Sequence, residues 1–416
     1  MMKATEVFTP TGYPKHTLIE DHLLEKRQQL LDALDMGTTL ISISGPSKSG
    51  KTVFIQRVLG KQNLIEVTGA GVKKVEDLWL RVFDILGTPI SQSQSKTKTT
   101  SITGTGKANG QVNVLAAKGS VEGSLTGGYA SANQISENFS IDYLQLLKAE
   151  VAGTDFVIFI DDFHYIDKDI QSELAKQIKD AIASGCKFIC ASVPYHSDDV
   201  IRGNADLRGR ILSIDFNYWD EKTLSLIALK GFELLNIEPD PQVLSKLIAE
   251  SAGSPQLMQY LCLNSCFEIN SRVKGQNKTH YPNDSDLLEK VCKRTLLSAD
   301  YSSIVDKMRE GPKVRGSDRK SYISIEGWQG DVYVFLLRAI ALNPPTLTFR
   351  YADLVSRMAS MCNGESPSGS SITSACQHAS AIANSSANNS VIEWDQDNDV
   401  LDIRDPYLLF YLRWIN

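Results

Sequence analysis

The chain contains 416 residues, and at roughly 150 residues per domain this length predicts two or three domains. Its composition, 42% hydrophobic and 22% charged, is ordinary for globular proteins and excludes disorder, collagen-like repeats and coiled coil for the bulk of the chain. The 43 Lys and Arg against 49 Asp and Glu give a net charge of −6, so the overall charge does not indicate nucleic-acid binding.

The sequence predicts a cytoplasmic protein without membrane contact. The apolar run at residues 156–160 is far shorter than the ~20 residues that a membrane span requires. The N-terminal residues lack the apolar stretch of a secretory signal. The seven cysteines are odd in number and lie mostly in apolar stretches, as reduced core cysteines do, so we expect no disulfide framework.

The strongest local signal is a phosphate-binding loop. Residues 40–55 are predicted to form an apolar strand, a glycine-rich turn and an amphipathic helix. Gly45 and Gly50 allow a close backbone approach, so that successive N–H groups wrap phosphate oxygens at a helix N-terminus. Lys51 is expected to reach the β- and γ-phosphates, and the Thr52 hydroxyl to ligate Mg²⁺. The predicted cradle comprises Gly45, Pro46, Ser47, Lys48, Ser49, Gly50, Lys51, Thr52 and Val53.

A strand at 64–68 and a helix at 75–86 are predicted next, followed by an unusual insertion at 91–137. The insertion is rich in Ser, Thr and Gly and has too few large apolar residues to bury a core of its own. Weak alternation around 112–114 and 121–125 permits a glycine-rich hairpin.

The second half of the nucleotide site is predicted at Asp161 and Asp162. They follow an apolar run without alternation, which is typical of a strand buried on both faces of a parallel sheet. Ligands bind at the carboxyl ends of such strands. Asp161 is predicted to hold Mg²⁺ through water, and Asp162 to act as the general base on the attacking water. For His164, packing beside the strand end is favoured over a contact with the γ-phosphate or a neighbouring subunit.

Three further residues of this core are candidates for catalysis. After a helix at 170–184, a buried strand at 187–192 ends in Ser192, which is placed to orient water or contact the γ-phosphate. Arg208 and Arg210 precede the next apolar strand. One of them, reaching across a subunit interface, would neutralise charge on the γ-phosphoryl oxygens, and the alternative is that both are surface arginines. The sequence does not choose between Arg208 and Arg210 as the catalytic arginine.

The C-terminal residues follow a winged-helix pattern. Helices are predicted up to residue 342, at 351–361 and at 372–384, followed by two strands. Residues 331–416 contain five arginines, no lysine and nine acids, a balance of −4. Because phosphate neutralisation supplies most nonspecific DNA affinity, a protein-contacting or autoinhibitory role is favoured over DNA binding.

This order of elements resembles the AAA+ and STAND branches of the P-loop NTPases. The helical stretch at 221–309 looks like their lid, and Gly253-Ser254-Pro255 matches the Gly-x-Pro signature with which STAND proteins place the lid near the nucleotide. Residues 400–414 look like the wing strand and closing helix of prokaryotic STAND-like ATPases. The resemblance implies ATP and Mg²⁺ as cofactors, and Pro255 as a nucleotide contact. The Asp-Asp pair departs from the usual Asp-Glu, which implies slow hydrolysis or a scaffold that binds nucleotide without hydrolysing it.

We therefore expect an α/β P-loop NTPase core with an AAA+/STAND-like parallel sheet, followed by an α-helical lid and a winged helix. The predicted boundaries are 1–217 for the core, 218–311 for the lid, 312–330 for a basic linker and 331–416 for the winged helix. The insertion at 91–137 is either an assembly or partner contact, as in AAA+ rings, or a flexible surface segment.

The predicted function is that of a slow regulatory ATPase. Its nucleotide state would control homo-oligomerisation and an effector protein acting in trans, as in STAND-like signalling and antiviral defence. The alternative is an AAA+ ATPase acting on DNA, such as a transposition regulator or an initiator-like loader. The acidic charge of residues 331–416 argues against it, and the basic connector at 313–320 and the lysines of the insertion leave it open.

Overall fold

A five-stranded parallel sheet lies at the centre of the N-terminal half. The computed structural model describes residues 1–90, 142–192, 209–313, 319–386 and 391–415. The insertion at 91–137 and Arg208 lie outside these residues. The strands are β1 (Leu40–Ser44), β2 (Leu64–Thr68), β3 (Val157–Asp161), β4 (Lys187–Ser192) and β5 (Ile211–Asp215). Their order across the sheet is β2-β3-β4-β1-β5, so β4 separates the two strands that carry the predicted nucleotide site.

The sheet is covered on both faces, as the continuous apolar strands predict. The flanking helices are α2 (Leu24–Met36), α3 (Lys51–Leu59), α4 (Val75–Leu86), α5 (Tyr143–Val151) and α6 (Lys168–Ala183). Along β3, Ile158 and Ile160 pack in the cluster that contains Trp79, whereas Phe159 packs in the cluster that contains Phe54. Since successive side chains of a strand point to opposite faces, a strand buried on both faces has no polar alternation.

A mainly helical unit follows the sheet. Its elements are α7 (Glu221–Leu234), β6 (Ile237–Pro239), α8 (Pro241–Glu250), α9 (Pro255–Glu268), β7 (Thr279–Tyr281) and α10 (Ser285–Leu296). The short N-terminal helix α1 (Ala4–Val7) joins its core, and Phe8 meets Phe232 edge to face with ring centroids 5.3 Å apart. The N-terminal residues therefore pack on the helical unit as well as preceding the sheet.

The C-terminal unit combines helices with a small antiparallel sheet. It contains α12 (Val332–Ala341), β10 (Thr348–Arg350), α13 (Tyr351–Met361), α14 (Gly369–Ser386), β11 (Ile392–Asp395), β12 (Val400–Ile403) and α15 (Pro406–Trp414). The sheet order is β10-β12-β11, so the two predicted strands are joined by a third, β10. The helix and strand order matches the winged-helix pattern, and that assignment stays a prediction.

The structure differs from the sequence prediction between residues 302 and 330. Helix α11 (Ser302–Glu310), predicted as part of the lid, packs its Val305 and Met308 in the core of the C-terminal unit. The predicted linker contains a hairpin of β8 (Tyr322–Ile323) and β9 (Gln329–Gly330). Arg319 fastens this segment with a 2.7 Å ion pair to Asp331. The polar, basic composition predicts a linker, whereas in the structure Arg319 and Lys320 form ion pairs with Asp331 and Glu365.

In the described ranges no helix combines the length and apolarity needed to cross a membrane. All seven cysteines fall in those ranges, and each is buried with a free thiol.

Candidate functional site

The phosphate-binding loop has the strand, turn and helix that the sequence predicts. Strand β1 ends at Ser44, and α3 begins at Lys51 directly after Gly50, whose φ is 97°. This left-handed conformation is one that glycine adopts at no steric cost. Gly45 lies so close to β5 that an added Cβ would be 2.5 Å from the Cβ of Phe216. The two glycines of the motif are therefore required by backbone conformation and by space.

The side chain of Lys51 lies folded over this loop. Its Nζ donates hydrogen bonds to the carbonyl oxygens of Gly45 at 2.7 Å and Pro46 at 2.8 Å. Burial lowers the pKa of Lys51 to about 8, although the nearby carboxylates of Asp161 and Asp162 oppose this shift. The ammonium is thus a partly desolvated cation within the cradle, which strengthens its attraction for phosphate oxygens.

The predicted magnesium ligands meet each other. Thr52 Oγ1 donates a 2.9 Å hydrogen bond to Asp161 Oδ2, which joins the first turn of α3 to the end of β3. Hydroxyl and carboxylate oxygens are the donors that hard cations such as Mg²⁺ prefer, usually with several retained waters. The pair therefore fits Mg²⁺. Among the described residues, no cluster of three or more His, Cys, Asp or Glu side chains has metal-binding geometry.

Asp162 has a backbone and an environment unlike those of Asp161. It adopts a left-handed conformation, with φ 57° and ψ 37°, immediately after β3. Burial raises its pKa to about 6, and the neighbouring Asp161 adds to the shift while Lys51 opposes it. A carboxylate with this pKa is ionised at neutral pH and still basic enough to accept a proton from water.

Ser192 and His164 lie beside the acidic pair. Because β4 separates β1 from β3, its last residue Ser192 lies between the phosphate loop and Asp161. Ser192 is buried, its hydroxyl has no hydrogen-bond partner among the described residues, and its carbonyl accepts from Gly45 N at 3.2 Å. His164 packs against the ring of Tyr165, with centroids 4.0 Å apart. Both residues line the cavity of the phosphate loop.

Arg210, one of the two arginine candidates, is not brought to this site within one chain. Arg210 is exposed and precedes β5, where its carbonyl accepts from Leu40 N at 2.9 Å. Since β5 and β1 are parallel, Arg210 lies at the amino ends of the strands, whereas the phosphate loop lies at their carboxyl ends. Any contact of Arg210 with phosphate therefore requires another subunit. Arg208 lies outside the described residues.

A cavity of about 660 Å³ extends from the phosphate loop toward the helical unit. This volume lies in the usual range for small-molecule sites. Pro255, the first residue of α9, lines the cavity, as the Gly-x-Pro resemblance implies. Residues 9–14 and 17–21 form another wall, which the sequence did not predict. Gln256 and Gln259 hold that segment, since Gln256 Nε2 donates to Pro10 O at 2.9 Å and Gln259 Nε2 to Thr17 Oγ1 at 2.7 Å.

Trp219 is a second residue that the sequence did not identify. Its indole Nε1 donates to the Ser49 carbonyl at 3.0 Å, and its backbone N donates to the Gly253 carbonyl at 2.9 Å. The indole also meets the ring of His22 edge to face at 4.3 Å. Trp219 thereby links the phosphate loop, through its indole, to the loop that precedes α9, through its backbone. Only an isolated tryptophan after β5 signals this role in the sequence.

Comparisons with known proteins establish the fold. No protein-family model and no curated protein matches the chain. The Walker-type ATPase of Pyrococcus abyssi matches with a TM-score of 0.50, 16% identity and coverage of 95% of this chain and 96% of that chain. The ORC2 protein of Aeropyrum pernix, solved as ADPNP-ADP complexes, matches with a TM-score of 0.50, 12% identity and coverage of 99% and 97%. The RuvB Holliday junction branch migration motor of Thermotoga maritima matches with a TM-score of 0.40 and 15% identity. The match covers 71% of this chain and 79% of that chain. The two matches with a TM-score of 0.50 show that the chain shares the α/β fold of the Walker-type ATPase and of the ORC2 protein.

Proposed function

We propose that the protein is a regulatory ATPase that binds ATP with Mg²⁺ and hydrolyses it slowly. The observation that carries this proposal is the 2.9 Å contact between Thr52 and Asp161, beside a glycine loop whose Lys51 is buried and near two carboxylates. When bound, Mg²⁺ would neutralise charge on the β- and γ-phosphates. Thr52 and Asp161 would hold it, and Lys51 would contact the phosphate oxygens.

Asp162 is the proposed general base. Its raised pKa of about 6 leaves it ionised at neutral pH, and its position after β3 places it beside Asp161. An aspartate is one methylene shorter than the glutamate usual in hydrolytic AAA+ proteins, so it holds the attacking water less closely. Ser192, between the two strands, is the proposed hydrogen-bonding partner of that water or of the γ-phosphate.

The adenine is proposed to lie between Pro255 and residues 9–14. This wall of the cavity is apolar and aliphatic in part, and it connects the helical unit to the N-terminal segment. A nucleotide held both there and at the phosphate loop would connect the helical unit to the sheet, so that its binding changes how the helical unit sits on the sheet. This is the basis on which we propose a STAND-like switch, with Arg208 or Arg210 of a neighbouring subunit completing the site in an oligomer.

A protein effector is the proposed partner of the C-terminal unit. Three of its arginines are engaged internally, which leaves few cations for phosphate. Arg404 pairs with Glu393, Arg413 with Glu250, and Arg357 donates to the carbonyls of residues 339, 342 and 344. Because DNA affinity depends on phosphate neutralisation, this engagement favours a protein contact. Signalling and antiviral defence are proposed from the STAND resemblance alone.

A DNA-directed ATPase is the alternative. The likeness in fold to an ORC2 protein is compatible with it, and the exposed lysines Lys313 and Lys320 flank the beginning of the C-terminal unit. These cations are the ones through which DNA would bind.

The proposal is tested by measuring nucleotide binding and mass together. Wild-type protein is expected to bind ATP, and its mass in light scattering is expected to differ between ATP, ADP and no nucleotide. Lys51→Ala removes a charged contact to phosphate worth about 1.5–3 kcal/mol, which corresponds to roughly 10–100-fold in affinity. Lys176→Ala, an exposed lysine on α6, is the control and is expected to bind as the wild type does.

The regulatory ATPase, the DNA-directed ATPase and the non-hydrolysing scaffold each predict a different outcome. Unchanged nucleotide binding in Lys51→Ala would refute the phosphate-site assignment. Salt-sensitive retention of DNA near physiological ionic strength would favour the DNA-directed alternative. Absence of phosphate release from the assembled, ATP-bound protein would favour a scaffold that binds nucleotide without hydrolysing it.

A further inference from the structure

A residue of the phosphate loop is ion-paired with the C-terminal unit. Lys48 Nζ lies 2.6 Å from Asp405 Oδ2, although the two residues are 357 positions apart in sequence. The side chains are 30% and 10% exposed, so the pair is partly shielded from water. Ion pairs with such shielding are less weakened by solvent and salt than exposed ones. The pair is therefore a defined contact between two distant parts of the chain.

Aromatic side chains surround this ion pair. Lys48 Nζ lies 4.2 Å from the ring centroid of Tyr407, which adds a cation–π attraction. The hydroxyl of Tyr301 donates to Asp405 Oδ2, the same oxygen that Lys48 contacts. The other oxygen, Oδ1, accepts from Tyr407 N at 3.0 Å and so caps helix α15. Asp405 thus caps helix α15 with one carboxylate oxygen and binds Lys48 of the phosphate loop with the other.

Helix α15 transmits any change at Asp405 to two hydrophobic cores. Its Tyr407 and Phe410 lie in the core of the helical unit, whereas Leu408 and Leu409 lie in the core of the C-terminal unit. Its far end is held by the buried pair of Arg413 and Glu250. A shift of the first turn of α15 cannot remain local, because packed cores do not deform continuously.

Lys48 also belongs to the nucleotide site. It lies three positions before Lys51 in the loop and has a left-handed φ of 63°. It lines the same cavity as Lys51, Thr52 and Asp162. One ammonium therefore has two anionic partners available to it: the Asp405 carboxylate, and any phosphate group that extends across the loop. A terminal phosphate with several charged oxygens attracts it more strongly than a diphosphate placed deeper in the cradle.

We propose that Lys48 exchanges Asp405 for the terminal phosphate of a nucleoside triphosphate, and that this exchange makes the C-terminal unit sensitive to triphosphate against diphosphate. The inference rests on the nucleotide site proposed above and deepens it, since it names the residue pair that discriminates between the two ligands. When Lys48 turns to the phosphate, Asp405 keeps its contacts with Tyr301 and with its own helix, so α15 is released from the phosphate loop.

The test measures affinity for ADP and for a non-hydrolysable ATP analogue in full-length variants. Asp405→Asn keeps an oxygen that caps α15 but removes the charge, so Lys48 is freed. Its affinity for the analogue is expected to rise by about tenfold, the equivalent of one charge-assisted hydrogen bond, with a smaller change for ADP. In Lys48→Met the preference for the analogue over ADP is expected to fall by a similar factor.

The double variant separates the exchange from a general effect of charge. With Met at position 48, adding Asp405→Asn is expected to leave the affinity for the analogue unchanged, because no cation remains to be freed. Equal gains from Asp405→Asn in both backgrounds would overturn the proposal and indicate a long-range field effect. Equal gains for ADP and the analogue would overturn it too.

Two further variants keep the result interpretable. Tyr301→Phe removes only the hydroxyl donated to Asp405, so the carboxylate depends more on Lys48, and the variant is expected to act in the opposite direction to Asp405→Asn, with a small loss of affinity for the analogue. Protease cleavage of the C-terminal unit is expected to increase with the analogue in the wild type and to be independent of ligand in Lys48→Met. If wild-type protein binds neither ligand, the proposed nucleotide site itself is wrong; if it binds both without these selective effects, only the exchange is wrong.

Discussion

Thr52 donates a 2.9 Å hydrogen bond to the carboxylate of Asp161, although 109 positions separate them in sequence. The contact exists because β3, which ends at Asp161, belongs to the parallel sheet, and α3, which contains Thr52 in its first turn, packs on that sheet. It brings two oxygen donors to one point beside the glycine loop, which is the geometry that a phosphate-bound cation requires.

Asp161→Asn is expected to remove the magnesium dependence of ATP binding. Asparagine preserves an oxygen that accepts from Thr52 and removes the charge that attracts the ion. Titrations with and without Mg²⁺ are expected to show a gain in affinity on adding Mg²⁺ for the wild type only. Loss of one charged contact corresponds to roughly tenfold. Asp155→Asn, at the exposed opposite end of the strand, is the control and should retain the gain. A full magnesium effect in Asp161→Asn would contradict the assignment of Asp161 as a ligand.

Asp162 is expected to give ATP hydrolysis a characteristic pH profile. Its pKa is raised to about 6, chiefly by burial, and a base must be ionised to accept a proton. The rate of phosphate release should therefore fall as pH decreases through 6 and be nearly constant above 7. Asp162→Asn is expected to reduce the rate by about 100-fold or more and to abolish this dependence.

The same carboxylate also affects folding stability in a predictable direction. Because its pKa is higher in the folded than in the unfolded chain, the folded state binds more protons between the ordinary pKa near 3.8 and about 6. Stability contributed by Asp162 therefore decreases as pH rises through that window. The unfolding free energies of Asp162→Asn and wild type should converge at low pH, separate as pH rises through that window, and differ by a constant amount above it, with the variant more stable. Parallel curves at all pH values would indicate that the group is not buried as described.

The sequence was sufficient for features whose signals are local. The glycine loop, the apolar run before Asp161 and the helix at 75–86 each carry their pattern within a few residues, and the structure has these elements at those positions. The contacts of Lys48 with Asp405 and of Trp219 with Ser49 join residues far apart in the chain, and no local pattern specifies them. The polar composition of the segment at 312–330 predicts a linker and contains no signal for the ion pair between Arg319 and Asp331.

Gly253 is expected to tolerate no side chain. Its φ is 80°, and an added Cβ would lie 2.7 Å from the Cβ of Tyr218, which is too close to its own backbone to move aside. Gly253→Ala therefore combines a conformational penalty with overpacking and is expected to cost about 2–3 kcal/mol of unfolding free energy. Chemical denaturation measures this. Gly87→Ala is the matched control, since its φ of 70° is similar and no atom lies within 4 Å of the added Cβ. An equal loss in both variants would show that the contact with Tyr218 is unimportant.

The buried pair of Arg413 and Glu250 joins the closing helix to the helical unit. Arg413 donates to both carboxylate oxygens of Glu250, at 3.0 and 2.6 Å, and both side chains are less than a tenth exposed. Trp414 Nε1 donates a third hydrogen bond to Glu250 at 2.8 Å. Arg413→Met would leave the carboxylate buried with one donor, and breaking such a pair costs about 3–5 kcal/mol.

Thermal unfolding with and without nucleotide tests this prediction. Arg294→Met breaks the more exposed pair with Glu268 and is the control, expected to cost about 1 kcal/mol or less. Adding Glu250→Gln to Arg413→Met removes the uncompensated charge, so the double variant is expected to regain part of the lost stability. A loss in Arg413→Met no larger than in the control would mean that this pair does not hold the two units together. Loss of the rescue would mean that Arg413 acts through its hydrogen bonds to Ala341 and Asn343 instead.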